Sequence, residues 1–504
     1  MRTRQLFKSS ILMFFFQMLS YLASFAGRII FIRTISTDYV GVRGLFSNIL
    51  SVLSLSELGI GTVLTYAMYR PLAEHDAPKI CALVQFYRRM YRYIAVFIGA
   101  AGLCLTPFLR YLINDCPDLP DLSFIYVLYL LNTVLSYINV YNQSVLNADQ
   151  KYYVTSMCYS VFGILKSIAE IIVLVITHDF KAYLLVQLPL TVAANFCGSW
   201  LAKRAYPFLK TNRKYALTPD DSRSIKKNIF AMFHHQIGAK ILNSTDNIII
   251  SRFVSLTAVA KGDSYNIFLS MINAIVNPLF SSLISSIGNL TVTADKKDSL
   301  QVFGILHFMA FWLYTLASAE LLLLLTPFVE LFTGEDYVFP FPTTLVLVIN
   351  FYIVGIRKIP LLFKEAMGLL WQDRWKPIVE AILNIIISIF AALKWGTMGV
   401  YMGTAISMLS TSIWVEPYTL FHYGFHTSAK PFWKTNMSHI FVSIILVFIS
   451  YETGLHLYQG NIYGQIMIRF LCGLLIPCFG ILLLFRKSDS MKGMRYYILN
   501  VLRH

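Results

Sequence analysis

A chain of 504 residues with 57% hydrophobic and only 13% charged side chains cannot coat a soluble surface, since a water-exposed domain carries about 25% charge. The net charge of +16, from 42 basic and 26 acidic residues, does not point to nucleic acid, because the basic residues cluster in the short connections between apolar runs, as membrane proteins place them. Seven cysteines with no CxxC pair and no metal-ligand spacing exclude a disulfide framework.

The first apolar run, 9–33, follows two arginines, and Ala23–Ala26 resembles a cleavage site. The run continues through Ile29–Ile32, too long for a signal core, so it reads as an uncleaved first span. Further runs follow at 44–69, 92–113, 122–147, 153–177, 180–202, 228–253, 264–291, 302–327, 341–370, 377–394, 397–421, 436–455 and 463–485. A span needs about 20 apolar residues, so the pattern predicts about fourteen. All should be helical, because unpaired backbone groups are costly in lipid and the alternation of a barrel is absent.

With the N-terminus inside, the inner connections hold Arg2, Arg4, Lys8, the stretch Lys79–Arg92, Lys151, the cluster Lys203–Lys227, Lys296, Lys297, Lys364, Arg374, Lys376, Lys430, Lys434 and the Arg486–Arg503 tail. The outer ones hold Arg33, Arg43, Arg110, Lys181, Arg252, Lys261 and Lys394. That bias of about four to one predicts both termini in the cytoplasm.

Sliding the chain by 219 positions against itself gives an ungapped match. Lys8 meets Lys227, Gln17 meets Gln236, Arg33 meets Arg252, Ser36 meets Ser255 and Leu50-Ser51 meets Leu269-Ser270. Span 1 thus falls on span 7 and span 2 on span 8. An even number of spans separates them, so the halves share one orientation, which predicts a pseudo-two-fold along the membrane normal with the substrate site between the halves. The expected fold is an all-α integral membrane protein. Its N-terminal lobe is 1–205, a cytoplasmic linker is 206–227, the C-terminal lobe is 228–425, and 426–504 adds two helices and a basic tail.

Polar residues recur at helical spacing in several spans. Span 1 has Gln17, Ser20, Ser24 and Arg28; span 2 has Ser47, Ser51 and Ser54; span 4 has Asn132, Ser136, Asn139 and Gln143. Span 7 has Gln236, Lys240, Asn243 and Asn247, and span 8 has Asn266, Ser270, Asn273 and Asn277. A single stripe can be helix–helix glue, but the set together predicts a shared water-filled cavity. Charges deep in spans are costly and usually functional. Arg28, Lys240 and Arg357 have no adjacent acid in sequence and are candidate anion-binding cations, with Lys358 and Lys166 as further basic candidates. Lys166 also stands one turn from Glu170, within pairing distance on a helix.

No GxxxxGK[ST], HExxH or GxSxG motif occurs, so neither ATP hydrolysis through that loop nor these hydrolytic chemistries are expected. His422 and His426 read as interfacial side chains, and no cofactor or metal is expected.

Four segments and one asparagine carry a resemblance. LSLSELGIGT at Leu53–Thr62 resembles the span 2 signature of bacterial Wzx-type polysaccharide flippases, and NSTDNIIIS at Asn243–Ser251 resembles their span 7. GLLWQDRWKP at Gly368–Pro377, Asn384 and GVYMGT at Gly399–Thr404 resemble spans 10–12. These flippases belong to the multidrug/oligosaccharidyl-lipid/polysaccharide exporter (MOP) superfamily. The resemblance implies a transporter of the bacterial inner membrane, not an enzyme. It implies that undecaprenyl-diphosphate-linked oligosaccharide is moved from inner to outer leaflet by alternating access, with partners in membrane lipid and polysaccharide polymerase machinery. A proton or sodium ion could couple the cycle through Glu57, Glu170, Asp246 or Glu320. Arginine suits bidentate phosphate contact, which fits a diphosphate cargo. Three rivals remain: a drug or cation antiporter of the same superfamily, which should favour an acidic aromatic cavity; a flippase for the peptidoglycan precursor lipid; and a membrane-embedded glycosyltransferase or polymerase, which would need a larger external loop.

Overall fold

The computed structural model describes residues 2–54, 60–113, 121–149, 151–211, 213, 215–281, 287, 296–369, 371–458 and 460–494. Side chains are described for all of these except 2–14, 62, 66, 70, 73, 224, 227–228, 230–243, 274–275, 277–279 and 281. The described chain is helical, in two compact units, Met1–Ala260 and Lys261–His504.

Unit 1 opens with α1 (Arg2–Thr34), α2 (Thr37–Leu53), α3 (Ile60–Ala73) and α4 (Ala77–Leu105). It continues with α5 (Leu122–Ser136), α6 (Gln143–Ala148), α7 (Tyr152–Thr177), α8 (Phe180–Ala205) and α9 (Pro219–Phe253). Helix starts follow local chemistry. Asp76 accepts from the Lys79 amide at 3.0 Å and precedes Pro78 in the first turn of α4. Thr218 caps the Asp221 amide at 3.2 Å ahead of Pro219, so α9 begins well before the span predicted at 228. In this unit α1 packs on α7, α7 on α8, α5 on α8, and α9 on α2 and α3.

α10 (Leu256–Ser281) crosses into unit 2, which continues with α11 (Lys296–Thr333), α12 (Phe341–Ile356), α13 (Lys358–Ala366), α14 (Lys376–Ser410) and α15 (Ser412–Thr419). The last two long helices, α16 (Lys430–His456) and α17 (Ile462–Leu484), pack against each other and on α11. Their shared core holds Phe308, Phe311, Leu446, Ile481 and Met491.

Ten helical stretches are long and apolar enough to cross a membrane among the described residues. One of them, Lys376–Phe425, is long enough for two crossings and turns at Gly396, whose φ of 56° and ψ of −136° suit a residue without a Cβ. The predicted spans missing from the ten are those of α2–α3, α9 and α10.

In span 2, α2 ends at Leu53 and α3 starts at Ile60, with 55–59 outside the described residues. Two spans read as continuous in sequence are broken. Span 4 stops at Ser136 and turns through Asn139, in the left-handed region at φ 64°, before α6. Span 10 stops at Ile356 and restarts at Lys358. The 219-residue register recurs in these boundaries. α1 ends at Thr34 and α9 at Phe253; α2 starts at Thr37 and α10 at Leu256; α4 starts at Ala77 and α11 at Lys296; α5 starts at Leu122 and α12 at Phe341. The breaks obey it too, since Asn139 corresponds to Lys358, and Thr177, where α7 ends, corresponds to Gly396.

The turn at Gly396 folds Gly399 back onto Ala391, where an added Cβ would lie 2.1 Å from the Ala391 carbonyl oxygen. Backbone cannot yield as a side-chain tip can, so Gly399→Ala is expected to cost about 1–3 kcal/mol, read as a lowered thermal midpoint of the solubilised protein. Gly99→Ala on α4, whose nearest neighbour would be 3.7 Å away, is the control and should change little.

Candidate functional site

Unit 1 encloses a polar cavity of ≈ 750 Å³ between α1, α3, α4, α6 and α7. Gln17, Ser20 and Tyr21 of α1 face Thr65 and Tyr69 of α3, Tyr87 of α4 and Thr155 to Ser160 of α7. Gln17 donates to the Tyr21 hydroxyl at 3.2 Å, and Tyr87 donates to Tyr91 at 3.0 Å. None of its described lining residues is charged. Three residues of the expected polar stripes line it, Gln17, Ser20 and Gln143.

Other stripe residues bind helices together. Ser24 meets Ser167 at 3.4 Å across α1 and α7, and Asn132 accepts from Thr191 at 2.8 Å across α5 and α8. Asn195 of α8 donates to the Ser136 carbonyl at 2.8 Å, satisfying backbone freed by the span 4 break. Asn139 does not continue the helical stripe: it sits in that break and accepts from the Tyr141 hydroxyl at 3.0 Å. Asn273 is half-buried on α10 in unit 2.

Further along α1 and α7 lies a charged cluster. Lys166 is 3.8 Å from Glu170. Arg28 stands within electrostatic reach of Glu170, Tyr129 and Tyr183. The same groups surround Arg43, whose guanidinium lies over the Phe31 ring at 4.9 Å and the Tyr183 ring at 5.8 Å. Its Nη1 is buried without a hydrogen-bond acceptor among the described residues. Among these residues, three cations gather around one carboxylate. Arg43 was expected in an outer connection; helix α2 starts at Thr37 and carries it inward. The signal was available, because Arg43 extends the Ser47–Ser51 stripe by one more turn.

Unit 2 behaves differently. Arg357, expected to lack an acid, is clamped by Glu416 through Nε at 3.1 Å and Nη2 at 2.8 Å, with Glu380 3.6 Å away. Lys376 bridges Glu416 at 2.7 Å and Glu380 at 3.2 Å, and Ser412 donates to Glu380 at 2.5 Å. The break after Ile356 brings the Arg357 guanidinium to the carboxylate of α15, a pairing no local spacing announces. Lys358 lies within electrostatic reach of Glu365, and Lys364 pairs with the buried Asp373. This set is two cations against two carboxylates plus a closed pair, so it holds no net charge to offer an anion.

Of the proposed coupling acids, Glu170 is paired as above and Asp246 is half-buried with a polar partner. Glu320 of α11 packs against Gly473 of α17, and both its carboxyl oxygens are buried without a hydrogen-bond partner among the described residues. Glu57 and the side chains of Gln236, Lys240 and Asn243 lie outside the described residues. No group of metal-ligand type forms among the described residues, and the six described cysteines are free.

Outside the spans, the connection before α9 is pinned. Lys79 meets Asp221 at 3.1 Å, and hydrogen bonding from Thr218 and then Lys79 holds the Asp221 carboxyl below its usual range. Lys151 joins Asp149 at 2.7 Å and donates to Tyr206 at 3.0 Å; the bond to Asp149, then that to Tyr206, raises its pKa.

No family model matches this chain, and no curated protein matches it in sequence. Solved structures do match. Lipid II flippase MurJ in an inward closed conformation superposes with a TM-score of 0.71 at 14% identity, covering 94% of this chain and 99% of that one. An inward-facing multidrug resistance MATE family transporter of the MOP superfamily matches with a TM-score of 0.60 at 15% identity, over 79% of this chain and 93% of that one. The Vibrio cholerae MATE transporter VcmN in the bent form matches with a TM-score of 0.55 at 16% identity, over 84% and 97%. The chain therefore shares the all-helical, multi-pass fold of these solved structures.

Proposed function

We propose that this chain is a flippase for a lipid-linked oligosaccharide carried on a diphosphate, of the undecaprenyl-diphosphate type, moved from inner to outer leaflet by alternating access. The observation that carries the reading is the cation excess in unit 1, where Arg28, Arg43 and Lys166 face one carboxylate, Glu170, and Arg43 Nη1 is buried without an acceptor, among the described residues. A buried guanidinium donor without a partner costs about 1–3 kcal/mol or more. An arriving phosphate oxygen would relieve that cost and gain a charge-assisted hydrogen bond. The neighbouring uncharged cavity, rich in hydroxyls and tyrosine rings, offers the hydrogen bonds and stacking faces that sugars use.

On this reading the basic connections face the cytoplasm of a bacterial inner membrane, the repeats 1–205 and 228–425 are the working lobes, and polymerase machinery receives the product. Nucleic acid has no part in it. The cations of unit 2 serve as structure, and Glu170, Asp246 and Glu320 are the described acids available to a coupling proton or sodium ion. A flippase for a lipid II-type precursor carries the same diphosphate and is favoured as second reading by the coverage of MurJ at nearly full length. An antiporter of cationic drugs fits less well, because the described cavity lining offers no carboxylate to a cation.

The test is a leaflet-resolved flipping assay in proteoliposomes. Undecaprenyl-diphosphate oligosaccharide should cross faster than in empty vesicles, and a neutral polyprenol-linked sugar should not. Equal transport of both, or transport of organic cations alone, would overturn the assignment.

A further inference from the structure

A second cavity in unit 1, of ≈ 830 Å³, lies away from the charged cluster and beside the connection between α8 and α9. Six cations line it: Arg88, Arg89 and Arg92 from α4, Lys203 from the end of α8, and Lys210 and Arg213 from the connection. Its described lining holds no carboxylate. Two acids flanking these elements in sequence already have partners, Asp221 in Lys79 and Asp149 in Lys151 and Tyr206.

Basic connections are common in membrane proteins, and a loose loop would let such charges spread apart. Here the fold holds them together. Gln85 donates to the Arg213 carbonyl at 2.8 Å and accepts from the Tyr215 amide at 3.1 Å, while the Cys81 thiol donates to the Phe208 carbonyl at 3.5 Å. Arg88 is further fixed over the Tyr141 ring at 5.8 Å. Like charges gathered in one concavity repel, and a multiply charged anion relieves that repulsion. The volume falls in the range of small-ligand sites.

The surroundings identify the source of that anion. On α4 the exposed Tyr93, Val96 and Phe97 follow within about two turns of Arg92. On α8 the exposed Phe196 and Trp200 precede Lys203, with Arg204 over the Trp200 ring at 5.3 Å. Exposed aromatic rings between an apolar face and a basic one mark the membrane surface. We propose that this cavity binds the phosphate headgroup of an anionic membrane lipid, at a site separate from the proposed cargo path. Basic pockets at this level of a membrane protein suit such headgroups.

The experiment uses the full-length detergent-solubilised protein, titrated with cardiolipin, phosphatidylglycerol, phosphatidylcholine and inorganic diphosphate, with binding read from the thermal midpoint. Cardiolipin should raise the midpoint at the lowest concentration, phosphatidylglycerol next, and phosphatidylcholine not at all. A near-surface cation contributes about fivefold to affinity for an anionic lipid, so the combined variant Arg88→Ala, Lys203→Ala, Arg213→Ala should lose at least about tenfold. Gln85→Ala keeps every charge but frees the connection, and should also weaken cardiolipin binding. Lys296→Ala with Lys297→Ala removes two exposed cations elsewhere and should change nothing. Equal weakening by the Lys296 and Lys297 pair, or unchanged binding in both cavity variants, would overturn the site. Diphosphate saturating the site while cardiolipin fails to bind would overturn the lipid assignment. Because no flipping is measured, these outcomes stand apart from the test of the cargo.

Discussion

Glu416→Ala is expected to cost about 3–5 kcal/mol, enough to remove most folded protein from the membrane fraction. Glu416 is 1% exposed, and its two oxygens take three donors from Arg357 and Lys376. Removing it leaves two cations against Glu380 alone in a site closed to water, and the uncompensated charge is what makes breaking a buried pair costly. Neutrality, more than any single bond, is the quantity to restore. The double variant Glu416→Ala with Arg357→Met returns the site to one cation and one acid, Lys376 and Glu380 at 3.2 Å, and should recover much of the loss. Thermal midpoints and yields of the two variants decide it. A single variant as stable as the wild type would mean that water reaches the network. The same reasoning assigns Arg357 to structure: in Arg357→Ala, any loss of transport should follow the loss of folded protein.

The long apolar runs announced the helices because burying unpaired backbone in lipid leaves no other choice. The 219-residue match was read over the first two spans of each half, and the helix starts carry the same register as far as Leu122 and Phe341. Breaks were not legible. The span 4 segment through Asn139 and the stretch around Arg357 each lie inside an apolar run, and apolar content carries no information about φ. Partners of charges were equally hidden. Lys166 and Glu170 stand one turn apart, so their pairing could be read, whereas Glu416 lies 59 residues from Arg357 and reaches it only through the tertiary fold. Arg43 was lost to a boundary error of a few residues, which moved it from a helix to a loop. The polar stripes divided in a way spacing cannot foresee: Gln17 faces a cavity, while Asn132, on an equally regular stripe, ties two helices together.

Arg43 is where the largest effect on transport is expected. Arg43→Ala should lower flipping of a diphosphate-linked substrate about 10- to 100-fold, the range of one charge-assisted hydrogen bond worth about 1.5–3 kcal/mol. Arg43→Lys keeps the charge but loses the planar fork and its stacking on Phe31, so it should recover only part of the rate. Arg28→Ala and Lys166→Ala should each lower the rate, Lys166 less, because Glu170 already answers part of its charge. Protein levels separate this from a folding defect. Arg43 is held by ring faces and has no carboxylate within salt-bridge distance among the described residues, so its removal leaves no partnered acid exposed to lipid, unlike Glu416→Ala. Full transport activity at normal protein levels in all three alanine variants would remove this cluster from the cargo path. A loss confined to phosphate-bearing substrates, with a neutral sugar lipid unaffected, would tie it to the diphosphate.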